Sequence, residues 1–348
     1  MSGTVVVFGA GSGLGGEIAR QYAAQGRPVR GVTRSGTGIP EGVENHRADL
    51  LNRSAAIAAC RDASVIHLAA NVAYPDWIST FPAMVDNAVA AAQDTGAKLV
   101  FTDNLYAYGP VDGRFDEQTP ERPVGPKEKL RARLGRTLLD AHADGRARVT
   151  IGRVSDYYGP DARMSLPDEL IIGPLSRGRN PIWFAPLDLP HTFAYSTDTA
   201  KALIVLGDDD RADGQVWHTP ADVTLPVSAF IALAGSVAGR PRRPIRLPAV
   251  TTRLMALFDR RLRGYAELEH QRTKPWIVDH SAFDRTFGPE CEAGCTLGGS
   301  PRDAAIPLDG SPDGLLVACH GQGPEGAVEG GVVDDPGFRP LMLEFGVT

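Results

Sequence analysis

The chain opens with a strand pattern, a glycine-rich loop and a helix pattern, and this order restricts its fold more than any other feature. Residues 4–8 are a short, mostly β-branched apolar run, and residues 13–25 carry apolar side chains at helical spacing. Glycines between a strand and a helix let the backbone approach a pyrophosphate, which the free N–H groups of the helix start can bind. We therefore predict a dinucleotide phosphate loop. Its residues are Gly9, Gly11, Ser12, Gly13, Leu14 and Gly15.

Strand and helix patterns continue to alternate over the first 155 residues. Alternation of this kind predicts a doubly wound α/β fold, in which a parallel, Rossmann-like sheet is covered by helices on both faces. The carboxyl ends of its strands then form a ligand-binding edge. The further strands are predicted at 28–32, 64–68, 98–102 and 149–151, and the further helices at 84–93 and 131–142.

Beyond residue 155 the alternation of strand and helix patterns becomes irregular and prolines are more frequent. We predict a smaller C-terminal substrate lobe over residues 156–289, partly interleaved with the dinucleotide-binding domain of residues 1–155. Within it, residues 226–237 read as a helix capped by Thr224, and residues 253–265 as a basic amphipathic helix. Residues 290–348 contain twelve glycines and six prolines, which indicates an irregular tail.

The overall charge argues against nucleic-acid and membrane partners. The chain has 36 basic and 42 acidic residues, a net charge of −6, and no apolar run of the ~20 residues that a membrane span needs. Four cysteines are too few for a disulfide framework in 348 residues, and the first residues do not resemble a secretion signal. We expect a cytoplasmic protein with a small-molecule substrate, and a homodimer is one possible assembly.

The end of the second strand favours NADP(H) over NAD(H). An acidic residue there would bind the ribose 2′-hydroxyl of NAD, but the chain reads Gly31-Val32-Thr33-Arg34-Ser35. Arg34 could instead pair with the 2′-phosphate of NADP. The alternative is that Arg34 is a solvated surface side chain.

The loop spacing Gly9-x3-Gly13-x-Gly15 resembles that of the short-chain dehydrogenases/reductases. Further segments, in order over about residues 4–288, resemble landmarks of the extended, epimerase/dehydratase-like branch of that superfamily. They are Ala48-Asp49-Leu50, residues 65–70, Asn87, residues 99–110, residues 153–160, residues 192–198 and Val216-Trp217-His218. The resemblance implies that Asp49 and Leu50 lie at the adenine and that Leu68, Ala69 and Ala70 lie beside the adenosine ribose. Asn87 occupies the position of a helix asparagine of that family.

The family's usual catalytic residues are missing. The resemblance implies hydride transfer with a Ser/Thr and a Tyr-x3-Lys pair, but Asn104 stands at the serine position, four residues before Tyr108, with Asp103 before it. There is no tyrosine between Tyr108 and Tyr157. The standard acid is therefore absent.

Alignment of the leucine stripe puts Lys127 at the tyrosine position and Arg131 at the lysine position. An alternative register pairs Gly125 with Lys129. In the first register both cations share one helix face, and we expect Lys127, destabilised by burial and by Arg131, to donate a proton. Arg131 would hold the ribose hydroxyls or a substrate anion.

Three alternatives stay open. The proton could come from Asp103, Tyr106, Tyr108, Tyr74 or a residue of the substrate lobe. The pocket could have lost redox catalysis, or the basic residues could be the solvated face of a helix.

Four further residues are candidates for substrate contacts. Tyr74 and Trp77 follow the ribose segment in a loop that the resemblance places at the substrate, Tyr157 lies at the bend into the lobe, and His191 opens the 192–198 segment. Trp77 could equally pack against the lobe. We find no metal-ligand spacing and expect no metal.

Together these features predict an NADP(H)-dependent oxidoreductase or epimerase-like enzyme acting on a small organic carbonyl or alcohol, with specialised metabolism as one setting. The alternatives are a non-redox isomerase, cyclase or lyase on the same scaffold, and a catalytically silent nucleotide-binding protein.

Overall fold

The computed structural model describes residues 3–162, 165–221, 223–248, 250–251 and 267–294. Fourteen strands lie in this part of the chain. They are β1 (Thr4–Phe8), β2 (Val29–Thr33), β3 (Glu44–Arg47), β4 (Ala63–Leu68), β5 (Lys98–Asn104), β6 (Gly113–Phe115), β7 (Arg148–Val154), β8 (Asp156–Tyr158), β9 (Ile182–Trp183), β10 (Pro190–Tyr195), β11 (Val216–His218), β12 (Val223–Pro226), β13 (Ile245–Arg246) and β14 (Trp276–Val278).

The same residues form nine α-helices and several shorter turns. The helices are α1 (Gly13–Ala24), α2 (Arg53–Ala59), α3 (Trp77–Thr95), α4 (Pro126–Ala143), α5 (Gly173–Ser176), α6 (Ser196–Asp208), α7 (Val227–Val237), α8 (His270–Thr273) and α9 (Ser281–Gly294). None of the helices described is long and apolar enough to span a membrane.

Seven parallel strands form the central sheet, in the order β11-β7-β5-β4-β1-β2-β3. Helices α2, α3 and α4 pack on one face and α1 and α6 on the other. Burial on both faces explains the continuous apolar run of β1, where Val5, Val6 and Val7 are fully buried. This confirms the predicted Rossmann-like doubly wound fold.

A second sheet begins at the carboxyl edge of the first. Strand β8 starts two residues after β7 ends and pairs with β10 in a sheet ordered β12-β10-β14-β6. The chain then returns to the central sheet through β11. The second sheet therefore lies beside the strand ends where the resemblance places a ligand.

One predicted helix cap is wrong, and two further predictions concern residues outside the described part of the chain. Thr224 does not cap α7: Pro226 precedes the helix, and Thr224 lies in β12, where its hydroxyl lies 2.7 Å from that of Thr192. The helix predicted at 253–265 lies outside the described residues, as does the tail predicted at 290–348 beyond Gly294.

Candidate active site

Backbone contacts in the glycine loop leave no room for a side chain at Gly9 or Gly15. A Cβ on Gly9, whose φ is +89°, would meet the Ala70 Cα at 2.6 Å, and one on Gly15 would overlap the carbonyl of Gly9. The start of α1 therefore packs directly on the loop. Leu14 turns into the core beneath it.

The loop and helix start match what a pyrophosphate requires. Ser12 precedes α1 in an extended conformation, its side chain caps no N–H group, and the first turn of the helix has no acidic residue. Above the loop, the atoms nearest to a Cβ on Gly13 would be the Tyr157 hydroxyl and the Asp161 carbonyl oxygen, both 3.8 Å away. The uncapped N–H groups at the start of α1 fit a bound anion.

The turn that carries Arg34 lies on this loop. A Cβ on Gly11 would be 2.9 Å from the carbonyl oxygen of Thr37, and one on Gly38 would overlap the backbone of Gly11. Arg34 itself is exposed. The turn that follows β2 is thus held beside the phosphate loop.

The residues expected around the adenosine form hydrogen bonds that fix the backbone near Leu50 and Ala69. Asp49 accepts a hydrogen bond from the Leu51 N–H at 2.9 Å, and the buried Asn87 donates from its side-chain amide to the Leu50 carbonyl at 2.8 Å. Leu68 is buried, and the Ala69 N–H donates to the carbonyl of Phe8 at 3.1 Å. Asn87 therefore acts on this region through the backbone of Leu50.

Lys127 lies in the first turn of α4 and is turned inward. Its ammonium donates to Glu267 Oε2 at 3.0 Å and lies 4.2 Å from the ring centroid of Tyr74. Its backbone N–H donates to Glu267 Oε1 at 2.8 Å. Lys129, the lysine of the alternative register, is exposed. The inward position of Lys127 agrees with the leucine register, but its first charged neighbour is a carboxylate and not Arg131.

Arg131 is buried between α4 and the sheet. Its guanidinium donates to Asp103 Oδ1 at 3.1 Å and lies 4.3 Å from the ring centroids of both Trp77 and Phe81. Burial lowers the pKa of Arg131, and Asp103 opposes that shift. Only 5% of its side chain is exposed. Through these contacts Arg131 packs against aromatic rings and pairs with Asp103. Binding of the ribose or of a substrate anion by Arg131 stays a prediction.

Asp103 lies between two arginines. It faces Arg153 directly across the β5–β7 register, with 3.5 Å between Asp103 Oδ2 and Arg153 Nε, and Arg153 also contacts Glu121. Burial lowers the pKa of Arg153, but Asp103 and its other neighbours raise it above the ordinary value overall. This buried chain of charges fixes the carboxyl ends of β5 and β7 to α4.

The end of β5 leads into a tight turn that packs against α4. Asn104 Oδ1 accepts from the Tyr106 N–H at 3.1 Å, which fixes the turn where the resemblance places the family's serine. Burial, together with the neighbouring Tyr106, raises the pKa of Tyr74 far above its usual value. The Tyr74 hydroxyl therefore stays protonated beside Lys127.

Tyr108 points away from this region. Its hydroxyl lies 2.7 Å from His218 Nε2, and His218 Nδ1 lies 2.8 Å from the carbonyl oxygen of Asp279. Since a carbonyl can only accept, Nδ1 carries the proton and Tyr108 donates to Nε2. Tyr108 is 1% exposed, and burial raises its pKa to about 12. A structural role is favoured over proton donation.

The remaining candidates divide between core and pocket. Trp77 is buried, and its indole N–H donates to the Val72 carbonyl at 3.1 Å, which favours the packing alternative. His191 is also buried, with Nε2 2.9 Å from Asp156 Oδ2. Tyr157 is partly buried near Gly13, and burial raises its pKa to about 12.

Sequence reasoning missed Glu267, Asp156 and Arg153. Glu267 comes 140 positions after Lys127 and belongs to no local motif, and the resemblance of residues 153–160 gave no role to Arg153 or Asp156. Pairs of this kind are made by the tertiary fold, so only a contact map or covariation could have identified them.

Comparison with known proteins agrees with this architecture. The model of the NAD dependent epimerase/dehydratase family matches residues 5–218. No curated protein sequence matches the chain.

Solved structures resemble this one over most of its length. MoeE5 in complex with UDP-glucose and NAD is 20% identical, with 82% of this chain and 92% of that chain covered and a TM-score of 0.65. UDP-glucose 4-epimerase from Thermotoga maritima with UDP-glucose is 13% identical, with coverage of 81% and 91% and a TM-score of 0.67. UDP-glucuronic acid 4-epimerase from Bacillus cereus, in complex with UDP-glucuronic acid and NAD, is 15% identical, with coverage of 81% and 92% and a TM-score of 0.65. At these identities the likeness is one of fold.

Proposed function

The chain belongs to the NAD dependent epimerase/dehydratase family, and from that membership we propose an NADP(H)-dependent oxidoreductase or epimerase-like enzyme whose proton donor is Lys127. The observation that carries the proposal is the position of Lys127. In the leucine register it stands where the family has its tyrosine, and its side chain faces inward and is held by a carboxylate in a contact that orients its ammonium. The substrate class is a small organic carbonyl or alcohol.

The dinucleotide would be held by the loop of residues 9–15 and by the turn at Arg34. The loop offers N–H groups at the start of α1, and Asn87 fixes the Leu50 backbone where the adenine is expected. When bound, the nicotinamide supplies or accepts a hydride at the carbon of the substrate. Arg34, in place of an acid, supports the preference for NADP(H).

Lys127 supplies the proton that a carbonyl oxygen needs once its carbon receives a hydride. The ammonium gives up one proton and becomes a neutral amine, which still has N–H bonds with which to donate to Glu267. In the reverse direction the neutral amine takes the proton of the alcohol. Glu267 and the ring of Tyr74 hold the nitrogen in its ammonium form, and Glu267 remains an acceptor for the neutral amine.

Arg131 supports Lys127 from one helical turn further along α4. Its pairing with Asp103 and its position between Trp77 and Phe81 fix the helix face from which Lys127 extends. Because Asp103 is fully buried beneath it, this face has little freedom to move.

A turnover assay tests the proposal. The full-length protein is incubated with NADPH or NADP⁺ and a panel of carbonyls and alcohols, beginning with UDP-glucose and UDP-glucuronic acid, the compounds bound by the structural neighbours. Absorbance of the reduced nicotinamide and NMR of the products are followed together. Net change in the nicotinamide indicates an oxidoreductase, and product without net change indicates internal redox or non-redox chemistry.

One observation favours a second candidate, nucleotide binding without turnover. Arg131 and Asn104, at two of the three family positions, are engaged by Asp103 and by the backbone of Tyr106. Tight NADPH binding without product from any member of the panel would support this candidate over the first.

A further inference from the structure

Arg47, on the edge strand of the central sheet, lies beside the turn that carries Arg34. It is opposite Thr33 in the β2–β3 register, and its Nε donates to the carbonyl of Arg34 at 3.3 Å. The stem of its side chain passes Gly36, where a Cβ would lie 3.5–3.8 Å from the carbons of Arg47. The Arg47 side chain therefore extends from the neighbouring strand along the turn and brings a second guanidinium to it.

Neither arginine has a carboxylate partner within the described chain. Arg30, two strand positions before Val32 on the same edge, pairs with Glu44 at 2.8 Å, whereas Arg34 and Arg47 are exposed and take part in no described ion pair. Two arginines without a carboxylate partner, one on the turn and one bound to its backbone, leave positive charge at this turn that a bound anion would neutralise.

The turn also presents hydroxyl groups. Ser35 Oγ and Thr37 Oγ1 lie 2.7 Å apart, and the Gly36 N–H donates to Thr33 Oγ1 at 3.0 Å. Gly36 has a φ of +72°, and the Asn45 side-chain amide donates to its carbonyl at 2.8 Å, so the turn is held from both strands. Two cations and two hydroxyls on a fixed turn suit a phosphate monoester.

The position of this turn in the fold indicates which phosphate group it could bind. The turn is in backbone contact with Gly11 of the phosphate loop, through Thr37 and Gly38. In this class of fold, the end of the second strand recognises the 2′ position of the adenosine ribose. A phosphate bound here would be attached to the same dinucleotide whose pyrophosphate occupies the loop.

We propose that Arg47 and Arg34 together bind the 2′-phosphate of NADP(H), so that Arg47 is a second determinant of cofactor specificity, contributed by the third strand. This inference rests on the proposed preference for NADP(H). Arg47 acts on the part of the cofactor that distinguishes NADP(H) from NAD(H), and takes no part in the chemistry.

Fluorescence titration of the full-length protein with NADPH and with NADH tests the inference. A lost charge-assisted hydrogen bond weakens binding by about tenfold to a hundredfold, so we expect Arg47→Ala to raise the Kd of NADPH by that factor. The Kd of NADH should stay within about twofold, since NADH carries no 2′-phosphate. Arg53→Ala, at an exposed arginine of α2, is the matched control and should change neither Kd. Arg47→Lys should restore part of the affinity for NADPH.

The outcomes separate this inference from the proposal on which it rests. If the wild-type protein binds NADH as tightly as NADPH, the preference for NADP(H) is wrong. If the wild type prefers NADPH and Arg47→Ala leaves that preference intact, Arg34 suffices and only the role of Arg47 is wrong. An equal loss of affinity for both cofactors would also overturn it. An unchanged Tm for Arg47→Ala, expected of an exposed side chain, excludes misfolding as the cause of any loss.

Discussion

Glu267 binds Lys127 twice, through the backbone N–H at 2.8 Å and through the ammonium at 3.0 Å, although the two residues are 140 positions apart. One carboxylate thus satisfies an N–H group in the first turn of α4 and orients the side chain that projects from it. Three residues later in the segment, His270 Nε2 lies 3.3 Å from Glu128 of the same turn. The segment that contains Glu267 and α8 therefore holds the start of α4, where the proposed proton donor lies.

The Lys127–Glu267 pair should contribute measurably to folding stability. Both side chains are mostly buried, so we expect a coupling free energy of about 1 kcal/mol in a double-mutant cycle of Lys127→Met and Glu267→Gln. Urea unfolding of the four proteins gives this quantity. The exposed pair Lys274–Asp112, at 3.3 Å, is the control and should show coupling near zero. Equal coupling free energies in the two pairs would contradict the claim that burial strengthens the Lys127–Glu267 contact.

Asp103 should be among the least replaceable residues of the site. Asp103→Ala leaves two buried arginines, Arg131 and Arg153, without their shared carboxylate, which should cost about 3–5 kcal/mol of unfolding free energy. Asp140→Ala, at an exposed position of α4, should change it by less than about 0.5 kcal/mol. Denaturant unfolding measures both. A loss below about 1 kcal/mol for Asp103→Ala would show that the two arginines are hydrated or paired elsewhere.

Stability should fall when the pH drops below 6.5, in part because of His218. Burial lowers the pKa of His218 from 6.5 to about 4, so the unfolded chain binds its proton first. The stabilising effect of the neutral ring is complete above pH 6.5 and is lost as the pH falls towards 4, by about 3 kcal/mol at most. Unfolding free energies at pH 7, 6, 5 and 4 test this.

His218→Gln is the variant that isolates this contribution. Its unfolding free energy should depend less on pH between 6.5 and 4 than that of the wild type. Some dependence should persist, because burial also lowers the pKa of His67 to about 3. Identical slopes for the variant and the wild type would mean that His218 is not the neutral, buried ring described above.

Gly15 should tolerate no side chain. A Cβ there would overlap the Gly9 carbonyl, so Gly15→Ala must move the start of α1 off the loop. We expect loss of NADPH binding and a lower Tm. Gly135→Ala in α4 is the control: its Cβ would have ordinary contacts from 3.6 Å outward, and the substitution should stabilise the helix by roughly 0.5–1 kcal/mol. NADPH titration and thermal melts distinguish the two, and intact binding by Gly15→Ala would contradict the closed geometry of the loop.

The sequence predicted best what is local. The strand, loop and helix of residues 4–24 lie where the pattern places them, because glycine spacing and apolar periodicity are properties of neighbouring residues. The short strands β3 and β8 were missed, since their few residues carry no periodic pattern. Helix α4 begins at Pro126, so it includes Lys127 as the predicted helix face requires, and its polar first turn, outside the apolar periodicity of residues 131–142, is held by Glu267 and Glu128.

The site was predictable only in its outline. The leucine stripe gave the register that turns Lys127 inward and leaves Lys129 exposed. It could not reveal that Arg131 is held by Asp103, or that Tyr108 donates to His218, because those partners come from other strands. Charged and aromatic residues near a predicted edge were read as pocket residues, and burial separates them only once the tertiary structure is known.

The central claim is that Lys127 is the proton donor. Its most direct test is to compare the rates of the wild type, Lys127→Ala and Lys129→Ala on a substrate identified by the turnover panel. We predict that Lys127→Ala lowers kcat by roughly 10²–10⁴, as expected for a lost general acid, with the Kd of NADPH nearly unchanged. Lys129→Ala, on the exposed side of the same helix turn, should match the wild type. An unchanged kcat in Lys127→Ala would contradict the claim, and a large loss confined to Lys129→Ala would show that the alternative register is the correct one.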